Sequence, residues 1–322
     1  MQKLLYLSRA DVERVGVTMR EIIEAVENGF REHGAGRVEM PPKPGVHTMP
    51  EAFIHAMPAY IPALQAAGVK WVSGYPENQK RGLPYISGLL ILNDVETGIP
   101  LAVMDCTWIT AMRTGAATAV AAKYLARPES SSVGILGCGV QGHSNLQALA
   151  ALFPLQRVVV FDQLAAQAER LAKFARENFG LAATIAKNAR DAVDGLDIVV
   201  TAGPITHTPH ATIQAGWLNR GAFASLVDFD SYWQPDALKQ ADKFCADDVP
   251  QYEHYRSIGY FQNMPPIYAT VGELVAGQKR GRARADEITM TCNLGLALDD
   301  MATAPLVYRG ARERGIGMWL EL

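Results

Sequence analysis

Two hydrophobic patterns divide the chain. From Ser132 onward, short apolar runs alternate with stretches whose apolar residues recur at helical spacing. Ser132–Leu136 precedes Val140–Leu152, and Arg157–Phe161 precedes Leu164–Phe179. Ala182–Ala186, Asp197–Thr201 and Ala222–Val227 continue the strand-like series, and Lys243–Ala246 adds another. Short apolar strands alternating with helices predict a parallel sheet covered on both faces, an α/β class with a doubly wound, Rossmann-type sheet. The first third is mixed. Thr18 and Glu21 have capping-box spacing ahead of a helix over Met19–His33, where Ile22, Ile23, Val26 and Phe30 fall at helical intervals. A proline-rich stretch, Met40–Pro62, follows and carries apolar runs such as Phe53–Met57. Three strand-like pieces come next, Gly68–Ser73, Gly88–Leu92 and Pro100–Asp105, the last two joined by a turn over Asn93–Gly98. Thr107–Ala126 predicts a long alanine-rich helix stopped near Pro128, and Gly295–Gly310 a second long helix.

At 322 residues the chain is long enough for two ordinary domains, and 49% hydrophobic against 20% charged residues implies a large core. A net charge of −3 argues against a nucleic-acid partner. The one dense basic patch, Lys279, Arg280, Arg282 and Arg284, is punctuated by Gly277 and Gly281 and reads as a solvated loop. Cys106, Cys138, Cys245 and Cys292 form no C-x-x-C pair, and no Cys/His set has zinc spacing. Reduced, buried thiols and no metal are therefore expected. Met1–Tyr6 lacks a signal-peptide core, and no apolar run approaches the ~20 residues of a membrane span, so a cytoplasmic location without a membrane partner is expected.

The strand Ser132–Leu136 runs into Gly137-Cys138-Gly139-Val140-Gln141-Gly142 and then directly into a helix, and Asp162 closes the next strand. That context turns a weak glycine motif into a dinucleotide-binding fingerprint. Gly137 allows the tight turn, Gly139 the approach of a pyrophosphate, and Gly142 close packing of helix on strand. The amide groups and dipole of the helix start, at Val140 and Gln141, hold phosphates. A carboxylate at Asp162 accepts hydrogen bonds from a ribose 2′-hydroxyl and repels a 2′-phosphate. Gln163–Gln167 offers no cation to receive such a phosphate, so NAD is favoured over NADP. Thr201 and Val227, at strand carboxyl ends, fall on the same cofactor side.

Two cations stand in apolar surroundings. Lys70 interrupts the strand Ala67–Gly74, where a lysine either snorkels outward or serves a site, because burying it alone is costly. Arg113 opens a run of small residues, Thr114–Thr118, that leaves room for something against the helix. Lys70 in Val-Lys-Trp-Val-Ser-Gly-Tyr-Pro and Arg113 in Thr-Ala-Met-Arg-Thr-Gly-Ala-Ala-Thr are two such motifs. With the Gly137–Gly142 loop and the closing Gly295-Leu296-Ala297-Leu298-Asp299-Asp300 and Arg314–Gly317, they resemble the ornithine cyclodeaminase/mu-crystallin family over nearly the whole chain.

The resemblance implies a homodimer in which 1–126 and 295–322 form an α+β substrate-binding and dimerisation domain and 127–294 the NAD-binding Rossmann domain. It implies that Lys70 contacts the substrate carboxylate or imine, that Arg113 clamps the carboxylate with its planar fork, and that Thr114 lies near the cofactor phosphates. Asp230, in Ser225-Leu226-Val227-Asp228-Phe229-Asp230, matches the catalytic aspartate, with Asp228 as a competitor. The family pattern there is Gly/Ala-x-Asp-x-Pro, from which this chain departs. Lys43 stands where cyclodeaminases carry a second arginine, and His55 where they carry a glutamate; Met57 joins these on the substrate side. His207 and His210 lie in a loop after Thr201, expected over the cofactor without a metal.

Three activities fit. The first is an amino acid dehydrogenase or imine reductase moving hydride at an α C–N bond, with Asp230 or Asp228 as general acid/base. The second is ornithine cyclodeamination with NAD recycled. His55 in place of an acid, and the aromatics Tyr60, Trp71, Tyr75 and Trp233, weigh against it. The third is a non-catalytic binding protein, which would not need Lys70, Arg113 and an aspartate together.

Overall fold

The computed structural model describes residues 2–49 and 51–322; Met1 of the N-terminal segment and Pro50 of the proline-rich stretch lie outside them. The chain divides into two compact units, Met1–Arg113 with Leu296–Leu322, and Thr114–Gly295. The first boundary falls inside a helix, whereas the sequence reading placed it after residue 126.

The first unit contains β1 (Lys3–Leu7), α1 (Arg9–Val15), α2 (Met19–Gly34), β2 (Gly45–Val46), β3 (Phe53–Ile61), β4 (Ala66–Gly74), β5 (Ile86–Asn93), β6 (Pro100–Asp105) and the start of α3 (Thr107–Leu125). The second contains β7 (Ser132–Leu136), α4 (Val140–Leu152), β8 (Arg157–Phe161), α5 (Ala165–Phe179), β9 (Ala182–Ile185), β10 (Ile198–Thr201), β11 (Phe223–Leu226), α6 (Pro235–Leu238), β12 (Lys243–Ala246), α7 (Val249–Ser257), β13 (Ala269–Thr270), α8 (Val271–Val275) and β14 (Thr289–Cys292). α9 (Ala297–Arg314) and β15 (Met318–Glu321) return to the first unit.

The first unit is a seven-stranded sheet in the order β15-β1-β6-β5-β4-β3-β2. Its pairs are antiparallel except β1 with β6. The register sets Leu7, Met104, Leu90, Lys70 and Met57 side by side across five strands. Side chains alternate faces along a strand, so these five share one face. All five are buried, and α9 packs over β3, β4 and β5. Trp71 and Leu89 pair on the opposite face and are about half exposed, at 49% and 45%. The Thr18–Glu21 capping box starts α2, and α2 packs on α9. β3 contains Pro58, which a central strand would not tolerate. Partner β2 reaches only Ile54 and His55, so β3 is an edge at the proline.

The second unit is an eight-stranded, wholly parallel sheet in the order β13-β12-β14-β11-β10-β7-β8-β9. Strand order reverses beside β7: β8 and β9 extend one way, β10 and β11 the other. This is the switch point at which doubly wound sheets bind ligands, beyond the strand carboxyl ends. β13 has only two residues, and β14 alternates threonine with Met290 and Cys292, so neither stands out as an apolar run.

The basic patch needs a correction. Arg282 is not a solvated side chain. Its guanidinium donates to the carbonyls of Leu125, Ala222 and Glu287 and to Thr289 Oγ1, tying its loop to the end of α3 and the start of β14. Lys279, Arg280 and Arg284 are exposed, as the spacing of glycines suggests. All four cysteines are buried free thiols. Among the described residues no helix is long and apolar enough to cross a membrane, and no cluster of His, Cys, Asp and Glu is arranged to hold a metal.

Candidate active site

In the first unit, Lys70 does not snorkel. Its ammonium lies under α9, 2.7 Å from Asp300 Oδ2, and donates to Thr110 Oγ1 at 3.3 Å. Arg113, in the second turn of α3, donates from Nε to Asp300 Oδ1 at 3.2 Å and from Nη1 to Asp299 Oδ2 at 3.4 Å. One aspartate therefore bridges two cations that lie far apart in sequence. Asp299 Oδ2 also accepts the Leu296 amide N–H at 3.2 Å, closing the first turn of α9, where the helix dipole favours negative charge. Burial, then repulsion from Arg113, lowers the Lys70 pKa; Asp300 opposes both. Burial pushes Asp299 up to about 6 and Cys106, next to the cluster, up to about 11.

Asp299 and Asp300 are the site residues that sequence reasoning did not single out. Their signal is an acidic pair in the first turn of a helix that continues with small and apolar residues to Val307, which reads equally as capping. Met57 lies directly opposite Lys70. Lys43 is half-buried on the segment before β2, and His55 stacks on Phe53 at 4.3 Å against the β2 backbone at Gly45.

In the second unit the glycine loop has the anatomy its sequence implies. Gly137 takes φ +93°, and a Cβ there would come within 2.5 Å of the Ala202 backbone. A Cβ on Gly142 would meet the Gly137 carbonyl at 2.4 Å. A Cβ on Gly139 would meet nothing within 4 Å, so the protein itself gives no reason for glycine at that position. It lies at the N-cap of α4, open toward whatever the helix start holds. Asp162 accepts the Cys138 N–H at 2.7 Å and the Leu164 N–H at 2.8 Å, which fixes the carboxylate beside the loop. Val140 and Leu164 leave 68% and 64% of their surface exposed. An open glycine, a helix N-terminus, a fixed carboxylate and exposed apolar side chains fit a dinucleotide's phosphates, ribose and base. The small run after Arg113 has a different use, since Gly115 brings α3 onto the α4 backbone at Ser144. Thr114 is buried at the start of that contact.

Beyond β10 and β11 the two aspartates differ in their partners. Asp228 is fully satisfied: Oδ1 accepts the Thr201 hydroxyl at 2.6 Å, and Oδ2 the Gly203 N–H at 2.8 Å. Thr201 in turn accepts Trp233 Nε1–H at 3.1 Å, so its oxygen serves this network. Val227 continues the ladder through its N–H to the Thr201 carbonyl. Burial pushes Asp228 up to about 7. Asp230 is buried too, but its Oδ1 has no partner. It lines a cavity of about 200 Å3 with Pro209, Ala211, Trp233 and Met264. Phe229 between the aspartates is left-handed (φ 62°), as are Ala211 (φ 50°) and Phe261 (φ 55°) nearby, and such strain persists where the surroundings enforce it. His207 bonds the Ile258 carbonyl and leans on Tyr260; His210 leans on Tyr232.

The sequence model of the ornithine cyclodeaminase/mu-crystallin family matches residues 2–315. The chain belongs to that family. Within it, the chain is 35% identical to alanine dehydrogenase of Archaeoglobus fulgidus over 322 aligned positions, covering 97% of each chain. It is similar in structure to Thermococcus litoralis Δ1-pyrroline-2-carboxylate reductase in complex with NADH and L-proline. That match has a TM-score of 0.89 and 34% identity, covering 98% of this chain and 99% of the other. An archaeal alanine dehydrogenase dimer with bound NAD matches with a TM-score of 0.89, 33% identity and full coverage of both chains. The fold expected of the family, a parallel Rossmann-type sheet with a second mixed unit, is the fold observed.

Proposed function

We propose that this family member is an NAD-dependent oxidoreductase that moves hydride at the α carbon–nitrogen bond of an amino acid or its imine. The observation that carries this reading is the convergence of Lys70 and Arg113 in one buried, apolar-walled cluster. A guanidinium fork beside a buried ammonium suits a carboxylate. Alanine and L-proline, named with the relatives, share an α-carboxylate and an α-nitrogen. Lys70 and Arg113 orient the substrate by its carboxylate, with Met57 opposite Lys70, and with Lys43 and His55 as further substrate-side residues. Asp230, which lines a cavity and keeps one oxygen without a partner, takes the proton that the amine loses on oxidation and returns one to the product amine on reduction. Asp228 holds the loop. Gly139, the α4 start, Thr114 and Asp162 hold NAD, which supplies or accepts the hydride. The functional unit is a homodimer in the cytoplasm, a reading supported by the dimer named for the archaeal relative and by exposed Trp71 and Leu89.

A substrate panel tests the reading: L-alanine, L-proline, L-ornithine and L-lysine with NAD, and Δ1-pyrroline-2-carboxylate or pyruvate plus ammonium with NADH. A steady change in NADH absorbance with at least one compound is expected. Ammonia from ornithine far exceeding the NAD supplied, without lasting NADH, would mean cyclodeamination instead. Silence across the panel would remove the oxidoreductase reading.

Cofactor preference has its own test. Titration of the wild type should give NAD at least about tenfold tighter than NADP, and Asp162→Ala should abolish that margin by weakening NAD more. The 2′-hydroxyl loses its acceptor and the 2′-phosphate loses a repelling charge. A wild type preferring NADP would overturn the assignment.

A further inference from the structure

The charges in the Lys70 cluster already balance. Lys70 and Arg113 face Asp299 and Asp300, two cations against two carboxylates, all buried. The proposed function brings a third carboxylate to Arg113, and the inference below rests on that reading. An added negative charge in such a site is costly unless something neutralises it. The groups facing the cluster are few. Lys70 comes from β4, Arg113 and Thr110 from α3, Cys106 from the segment before it, and both aspartates from α9. Lys70 is already counted as a cation, Thr110 does not titrate, and Cys106 stays a neutral thiol. Asp300 has no oxygen to spare for a proton, because each of its oxygens holds a cation.

Asp299 is different. Its Oδ2 makes two long contacts, 3.2 Å to the Leu296 N–H and 3.4 Å to Arg113, while Oδ1 is buried with no partner. We propose that Asp299 is a proton acceptor coupled to substrate binding: when a carboxylate enters beside Arg113, Asp299 takes up one proton on Oδ1, and the cluster keeps its net charge. The carboxyl is poised for this, since burial, with the neighbouring Asp300 charge and against the pull of Arg113 and Lys70, already raises it to about 6 from 3.8. A second anion beside it raises it further. Below that pH the proton is present before the ligand arrives; above it, binding must draw the proton from solvent.

Calorimetric titration in two buffers of different ionisation heat counts that proton. The probe is the panel compound with the highest turnover, added as its unreactive partner state (an amino acid with NADH already bound). At pH 7.5 the wild type should take up about one proton, declining toward zero by pH 5, and Kd should rise about tenfold per pH unit between pH 6.5 and 8. Asp299→Asn should bind with no uptake and a flat profile. Asp228→Asn and Asp230→Asn should keep the uptake. Wild-type binding without proton uptake at pH 7.5, or full uptake retained in Asp299→Asn, sinks the proposal while leaving the proposed function standing. The wild-type count needs no variant to fold. If no panel compound binds, the proposed function fails and this inference with it.

Discussion

Lys70→Ala is expected to abolish measurable turnover and to lower folding stability by about 3–5 kcal/mol, while NAD binding stays near wild type. The stability loss follows from what remains. Asp300 Oδ2 has Lys70 as its partner, so deleting the ammonium strands a buried carboxylate oxygen. The row Leu7, Met104, Leu90, Met57 around the site is apolar and cannot replace the charge. Lys70→Met with Asp300→Asn should therefore recover much of the stability, because it removes both charges and keeps the packed stem, yet recover no turnover. Urea denaturation and the NADH assay read the two effects separately. Full turnover in Lys70→Ala would take Lys70 out of the mechanism. Full turnover in the stable double variant would make the pair purely structural.

Asp230→Asn is the second large effect: turnover should fall by about 10²–10⁴-fold, the usual worth of a positioned acid or base, with little loss of stability. No protein group depends on Asp230 Oδ1, so an amide there strands no partner. Asp228→Asn should behave in the opposite sense. Its carboxylate accepts from Thr201 and from Gly203, and an amide offers only one acceptor oxygen. That change should cost about 1–3 kcal/mol and loosen the loop, reducing turnover less. In the oxidative direction, kcat/KM should rise with pH as the Asp230 carboxyl, held above its ordinary range by burial, loses its proton. A stable Asp228→Asn that loses more turnover than Asp230→Asn would reverse the two roles.

Much of the second unit was legible because its signals are local. β7, α4, β8 and β12 fall where apolar runs and helical spacing put them, and the Thr18–Glu21 box starts α2 as its spacing implies. Gly142 is fixed by the Gly137 carbonyl within the same loop, which a motif can encode, whereas Gly137 also answers to the distant Ala202 backbone. Strands β1, β13, β14 and β15 carry no such signal. They exist because a neighbouring strand supplies their hydrogen bonds.

The sequence by itself determined the α/β class, the glycine loop with its acidic partner at Asp162, the two conspicuous cations and the family. It left open which way Lys70 points and which of two aspartates keeps an unpartnered oxygen, and it read Arg282 as solvated. Those depend on groups distant along the chain. The register of β4 turns Lys70 inward, and α9 brings Asp299 and Asp300 to it from the far end of the sequence. Thr201 and Gly203 occupy Asp228 and leave Asp230 with an oxygen to spare. A side chain's chemistry is set by burial and by the partners that share it, and only the folded chain assembles those.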